Sequence, residues 1–365
     1  MFVYILLPYK EKFTKNKVSS VSITVSNNLR YSNYKDNVRI YGQYVKDPMY
    51  KENFNGIKNT FNFFKSKNTY LADQMCKDIV KSNTKNIVEV HNRPYLINKI
   101  RKKIKYINKL SLFLHNDPLE MRGSKKISER KELLLSLDKI YCVSKFVKDR
   151  FLTGLSGSFE KKVIVLYNGV IRSNKFFPTK KKEVIFVGRI VKDKGVHLFV
   201  EAISKIYDDY KEWTFSIIGS TRLGINDFDD FAQNIKNDFE NIGNRTQMLG
   251  FVDTENLKKI MERASIIVIP SIWEEPFGLV AAEGMSKGIA IISSSKGGLK
   301  EVIGRNGILL NDLTSTNISL ELKRLMSCKL TLEKFQKKSW NNFTLEAKKT
   351  SSILDRSRDN LFSEN

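Results

Sequence analysis

The chain has 365 residues, of which 41% are hydrophobic and 28% are charged. This length and composition are typical of a soluble globular protein with two domains of ordinary size. The net charge of +24 favours an anionic partner, such as a nucleic acid, an acidic membrane surface or a phosphorylated substrate. Much of this excess is lysine in a chain also rich in asparagine and isoleucine, a bias that an AT-rich genome produces by itself. The charge alone therefore does not choose among these partners.

Two features of the sequence concern the compartment. Cys76, Cys142 and Cys328 are isolated, without a C-x-x-C pair or the spacing of a zinc site, which is typical of a reducing compartment. The apolar start FVYILL is too short to span a membrane, lacks a basic flank and is followed at once by Pro8 and charged residues. We expect this segment to be the first strand of a sheet, and the chain to be cytoplasmic.

The first half of the chain alternates apolar runs with amphipathic stretches. Helical patterns such as Asn68 to Ser82 and Ser128 to Ser136 separate short strand-like runs. This alternation predicts a doubly wound parallel sheet, in which ligands bind beyond the carboxyl ends of the strands. The predicted strands are Val3 to Leu7, Asn86 to Val90, Ser111 to Leu114, Lys139 to Val143 and Val163 to Leu166.

Two histidines directly follow predicted strands. His91 stands in VEVHNRP and His115 in LFLHNDP, so we expect both at the ligand-binding edge of the sheet. A lone histidine at a strand end is commonly structural and held by local hydrogen bonds. We therefore treat His91 as a candidate acceptor-binding residue, with a structural role as the alternative.

Two basic segments of the first half are candidates for acceptor or membrane contacts. The segment KIRKKIKYINKL, Lys99 to Leu110, has isoleucines on one helical face and basic residues around most of the remainder. Such a helix can lie on an anionic bilayer, or it can be a surface helix whose isoleucines pack on the sheet. The segment MRGSKKISERK puts Arg122, Lys125 and Lys126 on a loop at the ligand edge, where they can pair with acceptor phosphates or acidic sugars, or be solvated.

The second half begins after a polar, charged linker that we place near Arg172 to Lys182. In EVIFVGRIVKDKGVHLFVEAI, Val184 to Val187 is a predicted strand, Gly188 allows a tight turn, and a helix follows. Arg189 and Lys194 thus lie on one short loop at the carboxyl end of the strand. Two cations at such a place can neutralise the charge that builds on a leaving diphosphate.

The stretch IIVIPSIWEEPFGLVAAE combines a strand, a loop and a helix. Ile266 to Ile269 is a short, mostly β-branched run that predicts a buried strand. Glu274-Glu275-Pro276 has the acidic residues and the proline of a helix start, so we expect the helix to begin there.

That helix start would make an anion site. The backbone N–H groups of Phe277, Gly278 and Leu279 would be free at the positive helix end. Glu275 and Glu283 would lie about two helical turns apart on one face, which is too far for a close carboxylate dyad. They can instead hold the two ends of one extended ligand.

These segments together resemble a known family. WEEPFGLVAAEGMSKGIAIISSSKGGLKEVI is similar to the donor-site signature of the family 4 retaining glycosyltransferases, which have the two-domain GT-B fold. VGR followed by K-x-K-G matches the family's diphosphate-binding pattern, and HND after an apolar strand resembles its amino-domain histidine motif. The resemblance is strong from Asn168 to Ile303 and weak in the first half.

The resemblance implies an α/β fold of the GT-B type, with two Rossmann-like, doubly wound domains that face a cleft. It implies an acceptor-binding domain at residues 1–172, a nucleotide-sugar-binding domain at residues 173–335, and at residues 336–365 a helix that crosses back to the first domain. The family's usual Gly-Gly pair after the first strand is missing. This chain has Lys17-Val18-Ser19-Ser20 there, and we assign no role to that loop.

The resemblance also implies roles for individual residues. Glu275 and His115 would orient and stabilise the donor sugar and are the candidate catalytic residues, while Glu283 would bind the ribose. The residues assigned to the donor diphosphate are Gly188, Arg189, Lys194, Phe277, Gly278 and Leu279. The segment assigned to the nucleobase is Leu249, Gly250 and Phe251.

The function implied is retaining transfer of a hexose-like sugar from a nucleotide sugar, with UDP as the expected nucleotide and without a cofactor or a metal. The basic charge and the lack of a secretion signal favour an anionic envelope acceptor at the inner face of the cytoplasmic membrane, for which we predict the lipopolysaccharide core. A synthase that glycosylates diacylglycerol is the nearest alternative.

Two further alternatives belong to other classes of protein. A nucleic-acid-binding protein would need aromatic residues among the basic runs and a recognisable module, and the sequence shows neither, so we expect no nucleic-acid partner. An inactive sugar-binding relative is disfavoured because Arg189, Lys194, Glu275 and Glu283 are intact.

Overall fold

The computed structural model describes residues 2–15, 19–58, 66–82, 84–159, 161–221 and 228–363. The chain forms two compact units: unit 1 is Met1–Gly169 with Leu345–Asn365, and unit 2 is Val170–Thr344. The sequence places the boundaries after residues 172 and 335, whereas the compact units assign residues 170–172 and 336–344 to unit 2.

Unit 1 is built on a parallel sheet. Among the described residues its strands are β1 (Val3–Leu6), β2 (Val38–Gln43), β3 (Phe54–Ile57), β4 (Ile87–His91), β5 (Lys109–Leu114), β6 (Lys139–Cys142) and β7 (Val163–Val165). They follow the order β3-β2-β1-β4-β5-β6-β7, and all neighbours are parallel. The structure confirms the five strands predicted from apolar runs, with ends that differ by one or two residues. Strands β2 and β3 were not predicted.

Helices pack on this sheet because their apolar faces complete its core. Those that precede the linker are α1 (Ser20–Tyr31), α2 (Lys67–Ser82), α3 (Ile97–Lys103), α4 (Ile127–Ser136) and α5 (Lys145–Leu152). The Ser144 hydroxyl caps α5 by accepting a 3.0 Å hydrogen bond from the Val147 N–H. Ser19 caps α1 in the same way, so the part of the atypical loop that the structure describes begins a helix. Lys17 and Val18 of that loop lie outside the described residues.

The basic segment Lys99 to Leu110 is not the single amphipathic helix that its pattern predicts. Helix α3 ends at Lys103, and Ile100 and Ile104 are buried in the unit, whereas Ile107 lies beyond the helix and is exposed. Arg101 is also buried, and its guanidinium binds the Asp138 carboxylate at 2.8 Å. This ion pair shows that Arg101 stabilises the unit and is not the surface charge that the amphipathic pattern had predicted. In the described part of the chain, no helix is long and apolar enough to cross a membrane.

Unit 2 is built on a second parallel sheet. In the residues described, its strands are β8 (Lys181–Val187), β9 (Thr214–Ile218), β10 (Thr246–Gly250), β11 (Ala264–Ile269), β12 (Ala290–Ser294) and β13 (Ile308–Leu310). They follow the order β10-β9-β8-β11-β12-β13. The helices are α6 (Val196–Ser204), α7 (Asp230–Glu240), α8 (Thr254–Arg263), α9 (Leu279–Ser286), α10 (Leu299–Ile303), α11 (Ser315–Ser327) and α12 (Lys329–Asn341). Trp213, Phe199, Phe215 and Phe239 are fully buried in its core.

The helix start predicted at Glu274-Glu275-Pro276 is wrong. Helix α9 begins at Leu279, with Gly278 as its cap at a left-handed φ of 94°. A residue in this conformation cannot lie inside a right-handed helix, so the helix cannot begin before Gly278. Glu275 and Glu283 therefore do not share a helical face, and the expected axial spacing between them does not apply.

The last helix, α13 (Ala347–Ser363), belongs to unit 1, where it packs on α1. Arg358 of α13 is 3% exposed and forms two hydrogen bonds of 2.8 Å with the Glu89 carboxylate of β4, which is 2% exposed. The same guanidinium lies 3.0 Å from the Asp355 carboxylate. The terminal helical pattern is thus divided between two elements, since α12 ends at Asn341 and α13 begins at Ala347.

Candidate functional site

The predicted donor residues of unit 2 lie at the point where the strand order of its sheet changes direction. Strands β8 and β11 are neighbours, with β9 and β10 on one side and β12 and β13 on the other. The loop after β8 carries Arg189 and Lys194, and the loop after β11 carries Glu275. In open α/β sheets, ligands bind beyond the carboxyl ends of the strands at such a switch point.

Two glycines bring the loops of this edge together. Gly195 has a left-handed φ of 68°, and a Cβ atom there would lie 1.8 Å from the Pro270 carbonyl oxygen. A Cβ atom on Gly219 would lie 1.8 Å from the Gly188 carbonyl oxygen. Since only glycine fits at both positions, the loops after β8, β9 and β11 can approach with their backbones in contact.

Lys194 and Glu275 form an ion pair across the two loops. The Lys194 Nζ atom contacts Glu275 Oε1, and the Ser271 hydroxyl donates a 2.8 Å hydrogen bond to the same oxygen. Both charged side chains are mostly buried. The Lys194 ammonium also lies 5.1 Å from the centre of the Trp273 ring, a cation–π distance. The structure thus places the predicted phosphate ligand directly against the predicted sugar ligand.

Arg189 is an exposed cation of this edge. Within the described residues, its guanidinium has no hydrogen-bond or ion-pair partner. Gly188, which precedes it, donates its N–H to the Ile218 carbonyl oxygen at 3.0 Å and so fixes the loop to β9. An unpartnered guanidinium at a switch point is available to an anionic ligand.

The amino terminus of α9 presents backbone donors beside this pair. The N–H groups of Gly278 and Leu279 have no acceptor in the parts of the chain that the structure describes. A Cβ atom on Gly278 would lie 2.5 Å from a Leu299 methyl carbon, so this position requires glycine. Phe277, the third residue predicted here, is buried. Two of the three predicted donors therefore remain available to an anion.

Glu274 has a role that its sequence position did not reveal. Its carboxylate accepts a hydrogen bond from the Gly297 N–H, and the Gly298 N–H donates to the Glu275 carbonyl oxygen at 2.7 Å. A Cβ atom on Gly298 would lie 2.6 Å from the Pro276 carbonyl oxygen. Gly297 and Gly298, which follow β12, are therefore hydrogen-bonded to the loop that carries Glu275. The sequence signal that could have revealed this role is the pair of adjacent acidic residues, Glu274 and Glu275, of which only one fits the family spacing.

Glu283 lies on α9 and is partly exposed. Burial raises the pKa of its carboxyl group to about 7, although the charges of Lys258 and Lys287 act in the opposite direction. Among the described residues, the carboxyl group has no hydrogen-bond partner. Such a group can accept hydrogen bonds from ligand hydroxyls, which is the chemistry that ribose binding requires.

The segment predicted to contact the nucleobase lies on the same edge. Strand β10 ends at Gly250, which has a left-handed φ of 66°, and the Gly250 carbonyl oxygen accepts a 2.8 Å hydrogen bond from the Gly219 N–H. Leu249 and Phe251 flank it and are partly exposed. This segment is separated from the Lys194 loop by one strand, β9.

In unit 1, the two predicted histidines are hydrogen-bonded to each other. His91 Nδ1 lies 2.8 Å from His115 Nε2, and the rings stack at an interplanar angle of 17°. His91 is 2% exposed and His115 is 7% exposed. Burial lowers the pKa of His115 to about 4 and lowers that of His91 well below its usual range, with smaller contributions from His115 and Arg358. Both rings are therefore neutral at pH 7. The His91 ring does not face the solvent, as the ring of a residue that binds the acceptor substrate would.

The other predicted acceptor residues lie on the surface of unit 1. Arg122, Lys125 and Lys126 are exposed, and the Arg122 guanidinium lies 5.1 Å from the centre of the Tyr95 ring. Glu11, which follows β1, was not predicted from the sequence as a site residue. Burial raises the pKa of its carboxyl group to about 7, although the charge of Arg93 acts in the opposite direction. Glu11 Oε2 is buried and has no hydrogen-bond partner among the residues described.

In the described part of the chain, no group of three or more His, Cys, Asp or Glu side chains is placed to hold a metal ion. Arg189 and Lys194 place positive charge at the candidate donor site.

Comparison with known proteins finds a family whose sequence model unit 2 matches. Residues 169–341 match the sequence model of the family described as "Glycosyl transferases group 1". The chain is 30% identical over 192 residues to "Uncharacterized glycosyltransferase MJ1178" of Methanocaldococcus jannaschii, covering 52% of this chain and 50% of that protein. It is 27% identical over 255 residues to "Spore coat protein SA" of Bacillus subtilis, covering 64% of this chain and 66% of that protein. The matches thus span between half and two thirds of these relatives.

Solved structures share the fold over the whole chain. The Anabaena protein Alr3699/HepE in complex with UDP and glucose has a TM-score of 0.75 at 14% identity, covering 98% of this chain and 99% of that chain. Sucrose-phosphate synthase of Thermosynechococcus elongatus has a TM-score of 0.77 at 15% identity, covering 100% of this chain and 99% of that chain. The predicted fold class is confirmed: both units are Rossmann-like α/β units of the GT-B type.

Proposed function

We propose that the chain transfers a sugar from a nucleotide-sugar donor, because residues 169–341 match the group 1 glycosyltransferase model and the chain shares the GT-B fold. The observation that carries this proposal is the set of groups at the switch point of the unit 2 sheet. There, Arg189 has no partner among the described residues, and Lys194 is paired with Glu275. The cations suit a diphosphate, and the carboxylate suits sugar hydroxyls.

UDP-glucose or a related UDP-hexose is the proposed donor. Support comes from the similar structure of HepE, which was solved in complexes with UDP and with UDP-glucose. Leu249, Gly250 and Phe251 would contact the base, and Glu283 would accept hydrogen bonds from the ribose. Its partly buried carboxyl group, which lacks a partner within the described residues, supports that role.

The proposed chemistry is transfer with retention, as in family 4, and without a metal or another cofactor. As the glycosidic bond breaks, negative charge builds on the diphosphate, and Arg189 and Lys194 stabilise it together with the N–H groups at the start of α9. The acceptor attacks the face that the diphosphate leaves, and the leaving phosphate takes the acceptor proton. Glu275 and His115 orient the sugar and act as the catalytic residues.

The Lys194–Glu275 pair links donor binding to this chemistry. A diphosphate competes with Glu275 for the Lys194 ammonium because both are anions. Once the diphosphate has taken Lys194, the Glu275 carboxylate loses its strongest partner and keeps only the Ser271 hydroxyl, at 2.8 Å. It then becomes available to accept hydrogen bonds from the sugar.

The proposed acceptor is an anionic envelope glycan, specifically the lipopolysaccharide core, bound by unit 1 on the cytoplasmic side of the inner membrane; diacylglycerol is the alternative. The exposed cations Arg122, Lys125 and Lys126 support an anionic acceptor. Peripheral membrane contact is supported by Tyr106 and Ile107, which are 84% and 53% exposed and follow the basic helix α3. An apolar pair beside lysines is the composition of an interfacial segment.

A thermal-shift panel tests the donor proposal. The full chain is heated with UDP-glucose, ADP-glucose or GDP-mannose, and a bound donor raises the melting temperature because it stabilises only the folded state. We expect UDP-glucose to give the largest increase, and Lys194→Ala to reduce it. Equal shifts in wild type and Lys194→Ala, or no shift with any nucleotide sugar, would contradict the proposal.

A further inference from the structure

The two buried histidines of unit 1 form a chain of hydrogen-bonding atoms that leads inward from the carboxyl edge of its sheet. His115 directly follows β5, and its Nε2 atom lies 2.8 Å from His91 Nδ1 at the end of β4. The second ring nitrogen of His91, Nε2, is buried and has no partner among the described residues. One end of this chain thus lies at the edge, and the other lies inside the unit.

Both rings are held in fixed orientations. The His91 ring stacks on Phe113 with centroids 4.5 Å apart and planes 11° from parallel, and Phe113 stacks on Tyr141 at 4.4 Å. Asn92, at a left-handed φ of 51°, accepts a 2.8 Å hydrogen bond from the His115 N–H through its side-chain oxygen. The stacking fixes the plane of the His91 ring, and the Asn92 bond fixes the backbone of His115, so the two rings stay in reach of each other and the Nδ1–Nε2 hydrogen bond is held in place.

His91 borders a small cavity that is lined by both apolar and polar side chains. The centre of a water molecule can move through about 10 Å³ there, which corresponds to room for a single water. The lining includes Asn28, whose Oδ1 atom is also buried and lacks a partner within the described residues, and Arg358. One water that donates to both Asn28 Oδ1 and His91 Nε2 would satisfy the two orphaned acceptors.

The hydrogen-bond pattern of the cavity selects the tautomer of His91, because the charge of Arg358 is neutralised by Glu89 in the same lining and by Asp355. A water that gives one proton to Asn28 Oδ1 gives the other to His91 Nε2, which leaves the lone pair on Nε2 and the proton of His91 on Nδ1. His91 Nδ1 then donates to His115 Nε2, and the His115 proton must reside on Nδ1. The interior of the unit therefore determines which hydrogen bond His115 offers at the sheet edge.

From this arrangement we propose that His91 is a positioning residue, which holds His115 as the Nδ1–H tautomer through a relay that begins at a single buried water. The activity part of this inference rests on the proposed function, in which His115 binds the sugar. The tautomer part does not, because it concerns the protein alone. A hydrogen-bonded second ring fixes the tautomer of the first, as partners of metal-bound histidines do.

The chain contains three histidines, so the tautomers can be read directly by NMR. In the full chain labelled with ¹⁵N-histidine, long-range ¹H–¹⁵N correlation spectra distinguish protonated from unprotonated ring nitrogens. His197→Gln, in unit 2, removes the third pair of signals and serves as the control for assignment. We expect His91 and His115 each to carry the proton on Nδ1 at pH 7. A proton on Nε2 of His115 would overturn the proposal.

Two variants of His91 separate positioning from packing. His91→Asn keeps an amide donor near the Nδ1 position and should preserve the His115 tautomer, whereas His91→Leu removes it and should let His115 change to the Nε2–H form. With UDP-glucose as the probe, release of UDP should fall about tenfold in kcat for His91→Leu at unchanged KM, and stay within about threefold of wild type for His91→Asn. Equal losses in both variants would refute positioning. A wild type that releases no UDP, but shows the expected tautomers, would refute only the proposed function.

Discussion

Replacing Arg358 by methionine should selectively destabilise unit 1. The substitution keeps most of the side-chain volume but removes the cation between Glu89 and Asp355, two carboxylates that are 2% and 4% exposed. Loss of one partner from a buried ion pair costs about 3–5 kcal/mol, because the remaining charge is left desolvated. With a urea m-value of about 2 kcal/mol/M, the unfolding midpoint of unit 1 should fall by roughly 1.5–2.5 M.

The three tryptophans make the assay specific. Trp213, Trp273 and Trp340 all lie in unit 2, so tryptophan fluorescence reports unit 2, while hydrogen exchange of the β4 and α13 amides reports unit 1. We expect the exchange protection of unit 1 to fall and the fluorescence midpoint to remain. Lys349→Met, at an exposed position of the same helix, is the matched control. A loss below about 1 kcal/mol, or one equal to that of the control, would refute the reasoning.

Three further outcomes are expected. Lys194→Ala or Arg189→Ala should lower turnover of UDP-glucose by about two to three orders of magnitude, since each removes a group that stabilises the leaving diphosphate. Steady-state kinetics measure this loss. Turnover at the wild-type rate in either variant would contradict the assignment of these residues to the diphosphate. Glu283→Ala should weaken UDP binding in calorimetry while Glu275→Ala spares it, and the reverse order would mean that the roles are exchanged. The pKa of Glu283 is raised in the folded state, so its stabilising contribution is lost as pH rises through about 7. Glu283→Gln should therefore raise the melting temperature more at pH 8 than at pH 5, and equal gains would contradict this.

Membrane contact is best tested at Lys99 and Lys102, because other basic residues of α3 are held in ion pairs. Arg101 binds Asp138 and the Ser136 carbonyl oxygen, and Lys103 binds Asp73, so replacing either would disturb the unit. Lys99→Gln with Lys102→Gln removes two exposed charges of α3. Binding to anionic liposomes should weaken by up to about 2 kcal/mol at low salt. Lys334→Gln with Lys337→Gln, exposed on α12, is the charge-matched control, and equal effects of the two pairs would contradict a specific membrane face.

The strands that the sequence predicted are those with continuous apolar runs. Strand β11, Ala264–Ile269, is buried along almost its whole length, and the alternation with helices made its parallel neighbours predictable. Strand β3, Phe54–Ile57, is half-buried and contains Asn55 and Gly56, so it carries little of that signal. Short polar strands at a sheet edge are defined by their neighbours, and sequence patterns do not reveal them.

Contacts between residues that are far apart in the sequence also limited what could be predicted. The sequence placed His91 and His115 on the same edge, because both follow strands of one parallel sheet. Their mutual hydrogen bond depends on β4 and β5 being neighbours in register, with His91 opposite Phe113. Arg101 is similar, since its partner Asp138 lies 37 residues further along the chain. A local amphipathic pattern therefore predicts a surface charge at a position where the arginine is structural.

The loop that carries Glu275 shows how a local rule fails at a functional site. Acidic residues followed by proline favour a helix start, but Gly278 adopts a left-handed conformation that only a cap or a turn accommodates, and this moves the start to Leu279. Because Glu275 is not in the helix, its carboxylate can reach Lys194 on the neighbouring loop, while Glu283 stays on α9. The two glutamates are therefore positioned by different elements. A substitution of one should leave the geometry of the other intact, which is why separate effects on UDP binding and sugar transfer are expected.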